Sequence, residues 1–159
     1  IKKIKKVKSN IEFSSDFIIG YPGETDNDFM ATIKLMKEVK FINSYSFVFS
    51  ARPGTPAFNL TKINSKDAKE RLITFQNLSE KIKINYKKNL INKTVTVLFE
   101  NKINNGNNYF GRDEYFNPVV VKSNIDLSGK IKKVKISNIN QNTLFGIQTP
   151  SLKQSNYAA

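Results

Sequence analysis

The sequence predicts an α/β segment, then one long helix, then a small all-β barrel of the OB-like kind. Near the start, an apolar run, a helical repeat and a second apolar run follow one another within ~35 residues. A lysine-rich amphipathic stretch occupies residues 65–90. From residue 93 it gives way to short alternating segments separated by Asn, Asp, Ser and Gly.

Phe17-Ile-Ile19 is apolar at successive positions, which predicts a strand covered on both faces, with Asp16 at its start. Gly20, Pro22 and Gly23 force a turn. Thr25 caps the next helix, and Asp28 stands three residues on, at capping-box spacing. Glu24, Asp26 and Asp28 put negative charge at the positive end of the helix dipole. Phe29, Ile33, Met36 and Val39 mark its apolar face. A second strand covers Tyr45–Phe49. Strand, helix and strand in this order make a βαβ unit, so the two strands are expected to be parallel.

Residues 50–64 are irregular: Pro53 and Pro56 fix φ, and Gly54 permits a turn. The long helix follows, with Ser65 as the expected cap and Asp67 and Glu70 in its first turn. Ala68, Leu72, Phe75, Ile82 and Tyr86 form one face, interrupted by Ser79. Lys66, Lys69, Lys81, Lys83, Lys87 and Lys88 lie on the other, expected for the most part in water, the alternative being an extension of an RNA-contacting surface. Strands are expected at Thr94–Glu100, Tyr109–Arg112, Pro118–Lys122, Lys130–Ser137 and Thr143–Gln148, with a hairpin turn at Asn105-Gly106. Five such strands fit a closed or nearly closed barrel. The expected divisions are 1–64, the helix 65–90, the barrel 91–151 and a frayed tail 152–159.

The formal net charge is +13, from 26 basic and 13 acidic residues, and it is unevenly placed. Residues 1–8 hold five Lys and no acid, and residues 9–64 are nearly neutral with five bases and six acids. The helix and barrel are basic, with seven bases against three acids and eight against four. A basic flank beside a neutral site suits a polyanion, most simply nucleic acid. The other reading is codon drift in an AT-rich genome, since only Arg52, Arg71 and Arg112 are Arg. Absence of Cys excludes disulfides and thiolate metal sites within this chain, and absence of His removes the usual general base. A self-contained zinc enzyme or a Ser-His-Asp hydrolase is therefore excluded. No apolar run approaches the ~18 residues of a membrane span. The lysine-rich start lacks the apolar run of a signal peptide. A chain that starts without Met is expected to be the end of a larger protein.

Two stretches carry chemistry. In Asp16-Phe-Ile-Ile-Gly-Tyr-Pro-Gly-Glu24, amides at the glycine turn and helix start can hold polar groups of a ligand. A carboxylate there can accept from a ribose hydroxyl or an ammonium. The alternative is a tight turn before a well-capped helix. Ser50-Ala-Arg-Pro-Gly-Thr-Pro56 is a rigid loop that presents Ser50, Arg52 and Thr55, or else a stiff connector whose Arg52 pairs with an acid. In the barrel, Arg112, Lys130, Lys132, Lys133 and Lys135, with Tyr109 and Phe110, can grip phosphates and stack bases. Alternation sets Lys133 and Lys135 on one face and Lys132 on the other. The competing reading is a solubilising surface with the aromatics in the core.

Together, Asp16-Phe-Ile-Ile-Gly-Tyr-Pro-Gly-Glu-Thr25 and Ser44-Tyr-Ser-Phe-Val-Phe-Ser-Ala-Arg-Pro-Gly-Thr-Pro-Ala57 resemble the radical S-adenosylmethionine methylthiotransferases. The likeness is greatest to the subgroup that thiomethylates a modified adenosine beside the tRNA anticodon. Arg71-Leu72 and Gly111-Arg112 also fall at positions of that family. The resemblance implies that the first part is the last βαβ portion of an incomplete, TIM-like radical enzyme barrel. Asp16, Gly20, Gly23, Glu24, Ser50 and Arg52 would border the S-adenosylmethionine pocket, and the β-barrel would be a TRAM domain holding the anticodon stem-loop of tRNA. It further implies two [4Fe-4S] clusters, each ligated by cysteines upstream of this chain. No catalytic residue or metal ligand is then expected here, and the chain alone would be inactive. A cytoplasmic, monomeric protein with no membrane or DNA partner is expected. The alternatives are a non-catalytic tRNA-binding module, or a sister enzyme acting on threonylcarbamoyl-adenosine or a ribosomal protein.

Overall fold

The computed structural model describes residues 1–103 and 106–149. The expected turn at Asn105 and the tail 152–159 lie outside the described residues. The chain forms two compact units, Ile1–Tyr86 and a second that begins at Lys87.

The first unit opens with a six-residue helix, α1 (Lys2–Val7), in the lysine-rich start. Strands β1 (Ser14–Ile19) and β2 (Asn43–Val48) pair in parallel, in register from Ser14↔Asn43 to Ile19↔Val48. Between them runs α2 (Asp26–Val39), so the βαβ unit forms as expected. Its capping box is complete: Thr25 Oγ1 accepts from the Asp28 N–H, and the Asp28 carboxylate accepts from the Thr25 N–H at 2.9 Å. Phe29, Ile33, Met36 and Val39 join Ile19, Phe41 and Phe75 in one core, with Phe17 stacked at a tilt on Phe75.

One expectation for β1 fails. Among the described residues, this strand is covered on one face only. Ile18 is 59% exposed, and its register neighbours Phe47 and Tyr45 are 59% and 64% exposed. Because side chains alternate along a strand, Phe17 and Ile19 turn inward while Asp16, Ile18, Tyr45 and Phe47 share the outer face. An apolar run does not reveal which of its faces has a neighbour.

Helix α3 (Ser65–Lys88) buries Ala68, Phe75 and Ser79, with Leu72, Leu78 and Ile82 partly covered. Ser79 is no defect in the stripe, since its hydroxyl pairs with that of Ser44 on β2. Two readings of this helix are corrected. Asn64, not Ser65, occupies the cap, its Oδ1 accepting from the Lys66 N–H at 2.8 Å. Asn caps as well as Ser, and it stands just before the first helical residue. Lys87, expected in water, is 0% exposed, and its Nζ donates to the Gln141 carbonyl at 2.8 Å. By this point the helix has passed from the first unit into the second, so the face that is buried changes.

The second unit is a closed barrel of order β3-β4-β5-β7-β6. Its strands are β3 (Thr94–Lys102), β4 (Asn108–Asp113), β5 (Pro118–Lys122), β6 (Ile131–Ile139) and β7 (Leu144–Gln148). All pairs are antiparallel except β5 with β7. Bulges in β3 after Phe99 and in β6 after Ile136 give the bend that closure requires. The core comprises Val97, Phe99, Tyr109, Val119, Val121, Leu127, Val134, Ile136 and Leu144. Gly111 is there by necessity, since a Cβ on it would stand 2.8 Å from the Phe99 Cα. Tyr109 is buried in this core, so it cannot stack on a base, whereas Phe110 faces outward.

Candidate functional site

Two sets of candidate residues exist, one in each unit. In the first, the glycine turn after β1 and the loop after β2 leave neighbouring parallel strands at the same end. The Phe49 N–H donates to the Ile19 carbonyl at 2.8 Å, and the Tyr21 and Phe49 rings meet edge-on at 5.0 Å. The two rims are thus adjacent, as strand ends in an α/β site must be.

Gly20 has φ +74°, and a Cβ there would stand 2.8 Å from the Ala68 Cβ, so both the backbone and the packing of α3 demand glycine. Its N–H donates to Glu24 Oε2 at 3.1 Å. Arg71, from α3, donates to Glu24 Oε1 at 2.7 Å, to the Glu24 carbonyl at 3.0 Å and to Asp26 Oδ1 at 2.6 Å. Burial alone would lower the Arg71 pKa, but the hydrogen bonds to Asp26 and Glu24 outweigh it and raise the group above its ordinary value. The Glu24 side chain is 11% exposed. Both of its oxygens therefore hold the turn shut, and it offers little to a ligand. Arg71 had no role assigned from the residues. The useful signal was an Arg in a Lys-rich chain, because a planar fork is needed to grip two carboxylates.

Asp16 differs. Its side chain is exposed on the bare sheet face beside Tyr45, and the carboxylate makes no hydrogen bond among the described residues. Gly23, with φ +84°, has open space where a Cβ would be. Ser50 and Arg52 are exposed. Arg52 makes no ion pair among the described residues, and its carbonyl anchors the loop by accepting from Thr55 Oγ1 at 2.8 Å. The rim thus presents a hydroxyl and a guanidinium, with the Asp16 carboxylate set back along β1 on the apolar and aromatic sheet face.

In the barrel, Lys133 and Lys135 project outward and are exposed, opposite Thr96 and Thr94 of β3. Lys132 lies on the other strand face, opposite Val97, and is partly buried. Lys130 braces a turn, its Nζ donating to the Asp126 carbonyl at 2.7 Å. Arg112 is ion-paired with Glu100 and lies over the Phe110 ring at 5.2 Å. Of the five cationic candidates, Lys133 and Lys135 stand together on one face, with Arg112 across β3.

The turn between β4 and β5 is built around a buried carboxylate. Asp113 is buried, and its Oδ1 accepts the N–H groups of Tyr115 and Asn117, each at 2.9 Å. Its Oδ2 accepts from Asn117 Nδ2 at 2.8 Å. This cage holds Phe116 at φ +61°, in the left-handed region, and leaves the ring 76% exposed. Such a conformation costs a bulky residue ~1–3 kcal/mol.

Among the described residues no group of three or more His, Cys, Asp or Glu could hold a metal ion. No helix of the described residues is long and apolar enough to cross a membrane.

Residues 88–148 match the TRAM domain family. Over 153 residues the chain is 49% identical to the tRNA-2-methylthio-N(6)-dimethylallyladenosine synthase of Pelagibacter ubique (strain HTCC1062), covering 96% of this chain and 34% of that protein. Proteins of the same name from Wolbachia sp. subsp. Brugia malayi (strain TRS) and Ehrlichia ruminantium (strain Gardel) are 40% and 41% identical, over 92% of this chain and 34% of each relative. The chain therefore spans about a third of the length of the curated relatives it matches. The resemblance to the methylthiotransferases holds along nearly all of it, and the TRAM domain coincides with the barrel.

Proposed function

We propose that this chain is part of a tRNA methylthiotransferase, to which it contributes a wall of the S-adenosylmethionine pocket and an RNA-holding barrel. The similarity to synthases named for that reaction is the observation that carries the reading. The substrate proposed is the isopentenyl-type adenosine beside the anticodon, and the macromolecular partner is the tRNA anticodon stem-loop in the cytoplasm. The subgroup choice rests on the names of the relatives and on the Ser50–Pro56 loop.

The rim suits S-adenosylmethionine in its chemistry. Ile18, Tyr45 and Phe47 offer an apolar, aromatic face for a purine, and Asp16 on the same face can accept from ribose hydroxyls or the ammonium. Gly23 leaves open space at the turn, and Gly20 lets that turn pack against Ala68. Arg71 and Glu24 hold that turn in place, while Ser50 and Arg52 supply a hydroxyl and a cation at the neighbouring strand end. When bound, S-adenosylmethionine supplies the radical that methylthiotransfer needs. The chain has no Cys, so its own residues do not fit a [4Fe-4S] cluster.

The barrel binds the RNA backbone with Lys133 and Lys135, helped by its excess of eight bases over four acids. Affinity for tRNA is expected to fall steeply with added salt. The whole reading is tested by mass spectrometry of tRNA from a strain deleted for the intact gene. Loss of the methylthio-adenosine is expected, and an unchanged level refutes the assignment.

A further inference from the structure

We propose that Phe116 is a stacking platform for an unpaired base of bound RNA, displayed by a turn built for that purpose. The inference rests on reading the barrel as RNA-holding and adds the site at which it meets a base. Residues of the β4–β5 turn form hydrogen bonds that favour a left-handed residue at position 116: the Phe116 N–H donates to the Asp113 carbonyl, and the Asp113 N–H to the Asn117 carbonyl. Glycine or asparagine ordinarily fills that place, because neither is penalised at positive φ. A phenylalanine there gains nothing from the fold, as its ring is 76% exposed. The cage around it is nevertheless fully satisfied, with the Asp113 carboxylate buried and engaged by three N–H groups. A rigid mount, an unfavourable backbone and an exposed ring together describe a side chain placed for a partner.

The chemistry of that partner follows from the surroundings. Asp113 is level with Lys132 across Val97 of β3, and beyond that row on β6 come the exposed Lys133 and Lys135. The turn therefore leaves the barrel at the end where the lysines stand. A cationic strand tracking phosphates, with one aromatic ring beside it, suits a single-stranded nucleic acid, since every base has a face to stack. An apolar protein partner would have no use for the lysines.

The test uses the whole chain with unfractionated tRNA as the probe at low salt. Phe116→Gly is expected to keep or raise the thermal midpoint, because strain is relieved, and to weaken tRNA binding roughly tenfold. The slope of log affinity against log salt should not change, because no phosphate contact is lost. Phe116→Tyr should bind like the unaltered chain, while Phe116→Leu should bind like Phe116→Gly. The proposal is overturned if Phe116→Gly binds undiminished or Phe116→Leu binds normally. If that happens while Lys133→Gln with Lys135→Gln lowers both affinity and salt slope, the RNA-holding role stands and only the platform falls. Failure of the unaltered chain to bind tRNA at low salt removes both.

Discussion

In the second unit five strands close on themselves, so each has a partner on both sides, whereas among the described residues β1 and β2 of the first unit pair only with each other. The barrel has an inside and an outside, and its outside carries lysines. The two-stranded sheet has a core on one face and a bare face of Ile18, Tyr45 and Phe47 on the other. The contrast separates two kinds of exposed surface. One adds charge and a ring to a finished core, where substitutions cost the fold little. The other leaves part of an apolar layer uncovered, on strands whose opposite face is the core.

The largest effect is expected where closure itself is attacked. Gly111→Ala would put a Cβ within 2.8 Å of the Phe99 Cα and 2.9 Å of the Leu98 carbonyl carbon, both backbone atoms in the paired strand. The strands must part, at a cost of about 3 kcal/mol. Hydrogen exchange should rise throughout residues 94–148 and stay unchanged in β1, α2 and β2. Faster exchange in the first unit as well would break the contrast, because the two units would then unfold as one.

Next comes the clamp in the first unit. Arg71→Ala leaves Glu24 in its sheltered position with the Gly20 N–H as its remaining hydrogen-bond donor among the described residues. Loss of a charge-assisted fork at this depth is expected to cost about 2 kcal/mol. Exchange should quicken at Gly20 and Glu24 and leave the barrel alone. Arg71→Lys should recover less than half of the loss, because an ammonium cannot fork between Glu24 and Asp26. Full recovery by lysine would show that charge alone holds the turn.

Much of this arrangement was legible in the sequence, for reasons that differ between the units. The βαβ unit and the five barrel strands announce themselves through periods of 3.6 and 2, and Pro118–Lys122 was bounded to the residue. The adjacent strand ends follow from parallel pairing. What stayed hidden depends on neighbours. A run such as Phe17-Ile-Ile19 reads the same whether one face or two are covered. Tyr109 and Phe110 are adjacent aromatics, and only strand register says which one is core. Lys87 looks like any other helix lysine until the helix changes partners and buries it under the Gln141 carbonyl. The Glu24 contact with Arg71 is not legible either, because nothing in the local sequence of Glu24 points to a residue of another helix.

The smallest expected effect compares one exposed carboxylate from each unit. Two hydrogen bonds from Thr25 hold Asp28 below the ordinary carboxylate pKa, the side-chain bond contributing most. In the barrel, Asp126 is held down chiefly by the Ser128 N–H. Since both folded-state values are depressed, the stabilisation is complete above the unfolded value and is lost as pH falls through the folded one. Each unit should therefore lose a little stability in the acid range below the ordinary carboxylate value, where solvent screening keeps the effect slight. Thr25→Val should return the Asp28 pKa toward its ordinary value in a carboxyl NMR titration, leave Asp126 where it was, and flatten the acid dependence of exchange in α2 alone. If Asp28 already titrates at its ordinary value in the unaltered chain, the capping box is not closed in solution. The first unit would then be looser at the mouth of its rim than the barrel is at its turns.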